Sequence, residues 1–379
     1  MTKSFKTAMM HATELTRAGK LQQATALIQS LLGQGAELLD SDAIEGTFSQ
    51  VATQAPVQKP KPRKISATPR AGLADTLRRI AAGGMPGSRP VSGTTDPIPP
   101  GAQFLSLRHT TATASRNYRL YLPANQPEAL MPLIIMLHGC TQSPEDFAAG
   151  TNMNALAEEF GCLVAYPAQP SGANAQKCWN WFRAEDQGRD HGEPAVIAGL
   201  TKDILKNHKA DPARVYIAGL SAGGAAAAII AAAYPDLYQA AGVHSGLAVG
   251  AAQDMPSAFS AMLSGAAGKP LPRAVPTIVF HGLADPTVHP GNGAAVIAQA
   301  LTAQSDLRRT TETGTSAGGR TYRLTRHTAA DGRILAEHWE ITGAGHAWAG
   351  GRPSGSYTDP AGPDASREML RFFLNHPKA

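Results

Sequence analysis

The 379-residue sequence contains few cysteines, few aromatic residues and no long apolar run. Its three cysteines, Cys140, Cys162 and Cys178, are too few for a disulfide-rich scaffold and form no Cys-x-x-Cys zinc pair. No segment reaches the roughly 18 uninterrupted apolar residues of a membrane-spanning helix. Residues 1–20 also lack the apolar core of a secretory signal peptide, which favours an intracellular protein. We therefore expect a globular protein without a membrane span.

An excess of one charge is confined to the N-terminal quarter of the chain. Residues 1–100 contain 12 Lys and Arg but only 7 Asp and Glu, whereas the remaining residues contain 22 of each. The net charge of +5 therefore belongs entirely to this quarter. We interpret it as a solvated segment, with binding to an anionic surface as the alternative, and we expect no nucleic-acid partner.

The spacing of apolar and proline residues divides the chain into three parts. Residues 5–32 show helical spacing, which predicts an amphipathic extension over residues 1–47 that packs on protein or, alternatively, on a hydrophobic particle. Residues 48–100 are rich in proline and basic side chains and predict an extended linker. Residues 101–379 predict one large folded domain, because an alternating pattern of strands and helices runs through them.

Short apolar runs alternate with helical patterns from residue 102 onward. This alternation predicts an α/β fold in which helices cover both faces of a mostly parallel sheet. The predicted strands are 104–107, 118–122, 133–137, 162–166, 215–218, 241–244, 277–280, 322–326 and 336–341, and the predicted helices are 144–160, 193–207, 222–233, 294–302 and 363–375.

Residues 219–223 form the pattern G-L-S-A-G directly between a predicted strand and a predicted helix. A nucleophilic serine needs this context, because a sharp strand-to-helix turn between small residues exposes its hydroxyl. The N-terminus of the following helix also offers free backbone N–H groups to a developing oxyanion. We therefore predict that Ser221 is a nucleophile, with a glycine-rich turn without chemistry as the alternative.

A serine hydroxyl needs a base, and in this architecture the acid and then the histidine follow the serine in the chain. Asp285 lies just beyond the predicted strand 277–280, and His346 lies in a glycine-flanked loop after the strand 336–341. We predict Asp285 as the acid and His346 as the base. Competing candidates are His244, His281 and His289 for the base and Asp331, whose Asp-Gly pair predicts a hairpin turn, for the acid.

The loop after the strand 133–137 predicts the oxyanion hole. Gly139 lets the backbone turn close to a substrate, so the N–H of Cys140 is expected to act with that of Ala222, and Thr141 is the neighbouring alternative. A simple strand-end turn at residues 138–139 is the second interpretation.

An aromatic cluster follows at residues 178–182, C-W-N-W-F, and either lines an acyl-binding cleft or packs in the core. Cys178 is a candidate disulfide partner of Cys140, with two free thiols as the alternative. The candidate substrate-binding residues are His138, Thr141, Trp179, Trp181 and Trp348.

Several longer segments resemble one known family, the poly(3-hydroxybutyrate) depolymerase esterases, which are related to feruloyl and acetylxylan esterases. The resemblance covers roughly residues 102–377, and the start of the chain resembles that of longer family members. The segments are HGCTQSPEDFAAGTNMNALAEE, CWNWF, DQGRDHGEPAVIAGL, GLSAGG, HGLADPTV, GAGHAWAGG and DPAGPDASREMLRFFL.

The resemblance implies an α/β-hydrolase fold and ester hydrolysis through an acyl-serine, with no metal and no cofactor. It assigns the nucleophile to Ser221, the acid to Asp285, the base to His346 and the oxyanion loop to residues 138–141. The expected substrate is polyhydroxyalkanoate polymer or its oligomers. The alternatives are a feruloyl or acetylxylan esterase, or a protein that binds granule surfaces through its N-terminal extension and hydrolyses esters secondarily. Polymer-degrading members are typically secreted, so the expected location stays open.

Overall fold

The computed structural model describes residues 98–378 except 112–113, 274 and 303. The predicted helical extension of residues 1–47 and the predicted linker as far as residue 97 lie outside the described residues. The described part of the chain is the large α/β domain.

Within these residues, ten strands form one large sheet and two short strands form a second one. The strands are β1 (Gln103–Thr110), β2 (Ser115–Leu122), β3 (Met131–Leu137), β4 (Leu163–Pro167), β5 (Ala210–Leu220), β6 (Ala240–His244), β7 (Thr277–Gly282), β8 (Arg308–Thr315), β9 (Thr321–Thr328), β10 (Ile334–Ile341), β11 (Trp348–Ala349) and β12 (Thr358–Asp359).

The order across the large sheet is β1-β2-β4-β3-β5-β6-β7-β10-β9-β8. The six strands from β4 to β10 in this order run parallel to one another. Antiparallel pairs flank them, with β1 and β2 at one edge and the β8–β9 pair at the other. The small sheet pairs β11 with β12 in parallel. The carboxyl ends of the parallel strands therefore meet at one edge of the sheet, where α/β proteins build their sites.

The described residues also contain seven α-helices, which pack on both faces of the sheet. They are α1 (Pro144–Thr151), α2 (Met153–Phe160), α3 (Gly192–Asn207), α4 (Ala222–Ala233), α5 (Met255–Ser264), α6 (Gly291–Ala300) and α7 (Ala365–Leu374).

The burial of the central strand β3 explains why its sequence is apolar throughout. All seven of its residues are buried. Leu133 and Ile135 pack in the cluster that contains α3 and α4, whereas Ile134 and Met136 pack in the cluster that contains α1, α2 and α7. A strand covered on both faces has no solvent-facing positions, so the period of two disappears from its sequence.

The structure confirms the predicted α/β class, but it differs from the predicted elements at several places, which include the unpredicted short strands β11 and β12. The helix predicted at 144–160 is two helices, because Asn152 adopts a left-handed conformation with φ 56° between them. Strand β8 is absent from the predicted elements, since its sequence RRTTETGT is polar and almost wholly exposed at the sheet edge. Helix α5 is absent from them as well, and only two of its residues, Ala258 and Ala261, are buried.

Candidate active site

Ser221 occupies a strained turn between β5 and α4. Its backbone angles are φ 58° and ψ −120°, a combination that side-chain-bearing residues rarely adopt and that clusters at functional sites. The Ser221 N–H donates to the His244 carbonyl at 2.8 Å, and the Ser221 carbonyl accepts from the Ala225 N–H at 3.0 Å. The backbone on both sides of the serine is therefore held in place.

The glycines on either side of Ser221 are required by the close approach of neighbouring backbone. A Cβ atom on Gly219 would lie 2.4 Å from the carbonyl carbon of Gly223. A Cβ atom on Gly223 would lie 2.1 Å from the Leu137 carbonyl oxygen at the end of β3. Neither position has room for a side chain, which gives the G-x-S-x-G pattern its steric reason.

Asp285 and His346 meet at the carboxyl ends of β7 and β10, which are neighbours in the sheet. The Nδ1 of His346 lies 2.8 Å from Asp285 Oδ2, and Asp285 Oδ1 accepts the backbone N–H groups of Thr287 at 2.8 Å and Val288 at 2.9 Å. Burial raises the pKa of Asp285, but hydrogen bonds from His281 and His346 and the charge of His346 hold it well below its usual range. The carboxylate is therefore ionised and orients the imidazole through Nδ1.

His244 ties the serine turn to the segment that follows His346. Its carbonyl accepts the Ser221 N–H, its Nε2 accepts the Ala349 N–H at 3.0 Å, and its ring stacks on Trp348 with 5.1 Å between centroids. Burial and the nearby histidines lower the pKa of His244 to about 3, so it is neutral. Among the residues that the structure describes, Ser221 Oγ has no hydrogen-bond partner. Hydrogen bonds between nucleophile and base commonly tighten only in the substrate complex.

The structure assigns different roles to the competing candidates for acid and base. His281 is buried with its Nε2 2.9 Å from the Val288 carbonyl oxygen, and His289 is exposed with its Nδ1 accepting the Gly291 N–H. Asp331 lies in the exposed turn between β9 and β10, where it binds Arg333. Asp331 therefore occupies the hairpin turn that its Asp-Gly pair predicts.

The loop after β3 brings a second backbone donor to the serine. In the described part of the chain, the N–H groups of Cys140 and Ala222 have no acceptor, and both residues line the cavity that contains Ser221. The Thr141 N–H donates to the Gln176 carbonyl at 2.7 Å. Thr141 is therefore not available as the donor, and Cys140 is the one of the two that can act with Ala222.

A disulfide joins Cys140 to Cys178 and connects the two loops that border the serine. Cys162 is buried as a free thiol, and burial raises its pKa to about 12, which leaves it protonated and unreactive.

A cavity of about 180 Å³ lies beside Ser221. Of the candidate substrate-binding residues, Thr141 and Trp181 line it. Helix α5 supplies a wall of Met255, Ala258, Phe259 and Met262, which sequence reasoning missed because an apolar helical stretch carries no motif. Most of the remaining lining is apolar as well: Phe182, Leu247 and Val288, with Asn174 and Gln176 as polar exceptions. The cavity can hold a small, mostly apolar acyl group.

The structure corrects the prediction that His138, Trp179 and Trp348 bind substrate. All three are buried, and none lines the cavity beside Ser221. Trp348 donates its indole N–H to Ser366 Oγ at 3.0 Å, while Trp179 donates to the His138 carbonyl at 3.0 Å. Their rings are anchored in the interior, so they support the loops of the site instead of contacting a ligand.

Within residues 98–378, no group of His, Cys, Asp and Glu side chains is arranged to hold a metal ion. No described helix combines the length and the apolar character needed to cross a membrane.

Comparisons with known proteins find similarity to esterases. The family profile described as Esterase PHB depolymerase matches residues 116–326. The chain is 35% identical over 240 residues to poly(3-hydroxyalkanoate) depolymerase C of Paucimonas lemoignei, covering 60% of this chain and 57% of the relative. It is 32% identical over 140 residues to feruloyl esterase B of Thermothelomyces thermophilus, covering 37% of this chain and 47% of the relative. The chain thus spans about half the length of these curated relatives.

One solved structure supports the fold. Acetyl xylan esterase from Aspergillus awamori superposes with a TM-score of 0.52 at 20% sequence identity, over 69% of this chain and 94% of the esterase. At this identity the likeness concerns the fold alone, which is that of an α/β-hydrolase.

Proposed function

Because the chain belongs to the PHB depolymerase family of esterases, we propose that it hydrolyses carboxylic esters through an acyl-serine intermediate. Ser221 is the nucleophile, His346 the base and Asp285 the acid that orients it. The observation that carries the proposal is the 2.8 Å hydrogen bond between His346 Nδ1 and the buried Asp285 carboxylate, formed by the loops of two neighbouring strands.

The arrangement accounts for each proton in the reaction. Asp285 accepts a hydrogen bond from the Nδ1–H of His346, so Nε2 is unprotonated and takes the proton of Ser221 Oγ as the oxygen attacks the ester carbonyl. The N–H groups of Cys140 and Ala222 stabilise the oxyanion. His346 then returns the proton to the leaving alcohol, and water hydrolyses the acyl-enzyme by the same steps in reverse.

The proposed substrate is a short-chain hydroxyalkanoate polyester or its oligomers. The Paucimonas relative is named for such a substrate, and the 180 Å³ apolar cavity suits a short acyl group. A feruloyl-type ester is the second candidate, because Trp181, Phe182 and Phe259 line the cavity with aromatic rings. Acetylated polysaccharide esters are a third outcome of the same test. The proposed reaction needs no metal and no cofactor.

The test compares p-nitrophenyl butyrate, emulsified polyhydroxybutyrate, methyl ferulate and acetylated xylan as substrates of the wild type, Ser221→Ala and Ser260→Ala. Ser260 is an exposed serine on α5 and serves as the matched control. We expect Ser221→Ala to lower kcat by about 10⁶ and Ser260→Ala to leave it within about twofold. Full activity of Ser221→Ala would contradict the mechanism, whereas cleavage of ferulate without polymer clearing would reject only the polyester assignment.

A further inference from the structure

The Cys140 N–H belongs to a peptide group whose orientation is set by the side chain of His138. That peptide joins Gly139 to Cys140, and its carbonyl oxygen lies 2.7 Å from His138 Nδ1. His138 Nε2 accepts the Gln169 N–H at 3.1 Å, so the Nδ1 nitrogen carries the proton and donates to the Gly139 carbonyl. In a trans peptide the C=O and N–H point in opposite directions. Holding the Gly139 carbonyl therefore aims the Cys140 N–H away from His138.

The preceding peptide group, between His138 and Gly139, is held at both of its ends. Its carbonyl accepts the indole N–H of Trp179 at 3.0 Å, and its N–H donates to Gln142 Oε1 at 2.8 Å. Gln142 is 2% exposed, so this bond forms away from solvent. The two successive peptides carry two carbonyls and two N–H groups. Of these four groups, only the Cys140 N–H has no hydrogen-bond partner among the described residues.

Asp146 determines which end of the Gln142 amide faces Gly139. Its Oδ2 accepts the Gln142 Nε2 at 2.9 Å, and that nitrogen also donates to the Ser356 carbonyl at 3.2 Å. Asp146 in turn accepts the Ser356 N–H at 2.9 Å and the Ser356 hydroxyl at 2.5 Å. A carboxylate accepts and cannot donate, so the amide nitrogen of Gln142 must face Asp146 and its oxygen must face Gly139.

We infer that Gln142, oriented by Asp146, is a positioning residue for the oxyanion hole: it fixes the peptide plane before Gly139 so that the Cys140 N–H points at the developing oxyanion. The inference rests on the proposed ester hydrolysis. Gln142 touches no reacting atom and does not line the cavity beside Ser221. Its effect is expected in the transition state, where the oxyanion exists, and not in the binding of the uncharged ester.

The test measures kcat, KM and the inhibition constant of a trifluoromethyl ketone, which forms a tetrahedral oxyanion adduct on the serine. Gln142→Met removes the acceptor for the Gly139 N–H and keeps the volume. We expect kcat and the affinity for the ketone to fall together by about 10- to 100-fold, with KM within about twofold, since losing a donor outright costs about 10²–10³.

Gln299→Met is the matched control. Gln299 is also a buried glutamine. Its side-chain amide forms hydrogen bonds with the backbone N–H and carbonyl of Val249 and with the carbonyl of Lys269. Its loss should lower the thermal midpoint without a change in the ketone affinity. If Gln142→Met weakens the ketone no more than Gln299→Met does, the side chain is merely structural and the inference fails.

A second pair of variants keeps the inference testable if Gln142→Met does not fold. Asp146→Asn removes the charge that selects the orientation of the Gln142 amide and should lower both kcat and the affinity for the ketone. Gln142→Glu combined with Asp146→Asn exchanges the carboxylate and the amide, and it should restore at least about half of the ketone affinity that Asp146→Asn loses. A double variant no better than Asp146→Asn overturns the inference. Activity of Ser221→Ala would instead reject the proposed function on which it depends.

Discussion

Ser221 and His346 both lie in turns flanked by glycine, yet different forces hold them. At the serine, a Cβ atom on Gly223 would lie 2.1 Å from a backbone oxygen of β3, so the turn is defined by packing of backbone on backbone. At the histidine, a Cβ atom on Gly345 would meet nothing within 4 Å. Glycine is therefore sterically required at Gly223 and dispensable at Gly345.

At the histidine loop, side-chain hydrogen bonds act in addition to backbone contacts such as the Ala284 N–H donating to the Ala344 carbonyl at 3.0 Å. Asp285 holds the imidazole itself, and Arg320 donates to the Gly343 carbonyl at 3.0 Å while its Nε bonds Asp359 at 2.7 Å. This difference explains why the two residues differ in the sequence pattern that surrounds them. Steric necessity leaves the G-x-S-x-G pattern around Ser221, whereas the side chains that hold the His346 loop, such as Arg320, lie elsewhere in the sequence and add nothing to the local pattern.

Among the variants that test this comparison of the two turns, the largest effect is expected in the loop of His346. Asp285→Asn replaces the acceptor of the His346 Nδ1–H with an amide that can stabilise the wrong tautomer, so we expect kcat to fall by about 10⁴. The measurement is turnover of p-nitrophenyl butyrate, with Asp331→Asn, an exposed acid in the β9–β10 turn, as the control. A loss of less than about tenfold would show that His346 is not oriented by Asp285.

The next effect concerns the backbone-held turn. Gly223→Ala forces a methyl group against the Leu137 and His138 carbonyls, at 2.1 and 2.5 Å. We expect the free energy of unfolding to fall by about 3 kcal/mol, the upper end for overpacking, or the variant not to fold. Urea unfolding followed by circular dichroism measures this change. Wild-type stability in Gly223→Ala would mean that the turn relaxes easily and that the two turns do not differ in what holds them.

Lowering the pH should reduce the free energy of unfolding by a smaller amount, through His138, which lies next to the Ser221 turn. Burial lowers the pKa of His138 to about 4, whereas its ordinary value is 6.5. The folded state thus favours the neutral ring, so its stabilising contribution is complete above pH 6.5 and is lost as the pH falls from 6.5 towards 4. This group alone is expected to lower the free energy of unfolding by about 2 kcal/mol between pH 7 and pH 5.

The comparison of wild type with His138→Gln in urea at both pH values isolates this contribution. The variant should lose less stability than the wild type on acidification. His244, whose pKa burial lowers to about 3, remains in both proteins and cancels in the difference. An equal loss in the two proteins would remove His138 as the cause.

The smallest effect is expected at Gly345. Gly345→Ala adds a methyl group in open space, so the free energy of unfolding should change by less than about 0.5 kcal/mol and kcat by less than about threefold. A large loss of kcat with unchanged stability would indicate that His346 needs backbone freedom during turnover. That result would mean that glycine is required in the turn of His346 as well as in the turn of Ser221.

Local sequence patterns are enough to predict the α/β class and the place of Ser221, Asp285 and His346 at strand ends. They fail for β8, whose edge-strand sequence is polar and lacks an apolar run, and for α5, a half-exposed apolar helix that carries no motif. They also fail for three residues expected to contact substrate, His138, Trp179 and Trp348, which are buried and do not line the cavity beside Ser221. An aromatic residue beside a catalytic motif looks the same in sequence whether its ring faces the cavity or the core.

The sequence by itself determined which segments become buried strands and where the chain must turn sharply, because those features depend on the periodicity of apolar residues and on the size of neighbouring side chains. Only the tertiary structure decided which loops meet. The contact between Gln142 and Ser356 and the disulfide between Cys140 and Cys178 join residues 214 and 38 positions apart. Such pairings arise from the packing of the whole sheet, and no local pattern encodes them.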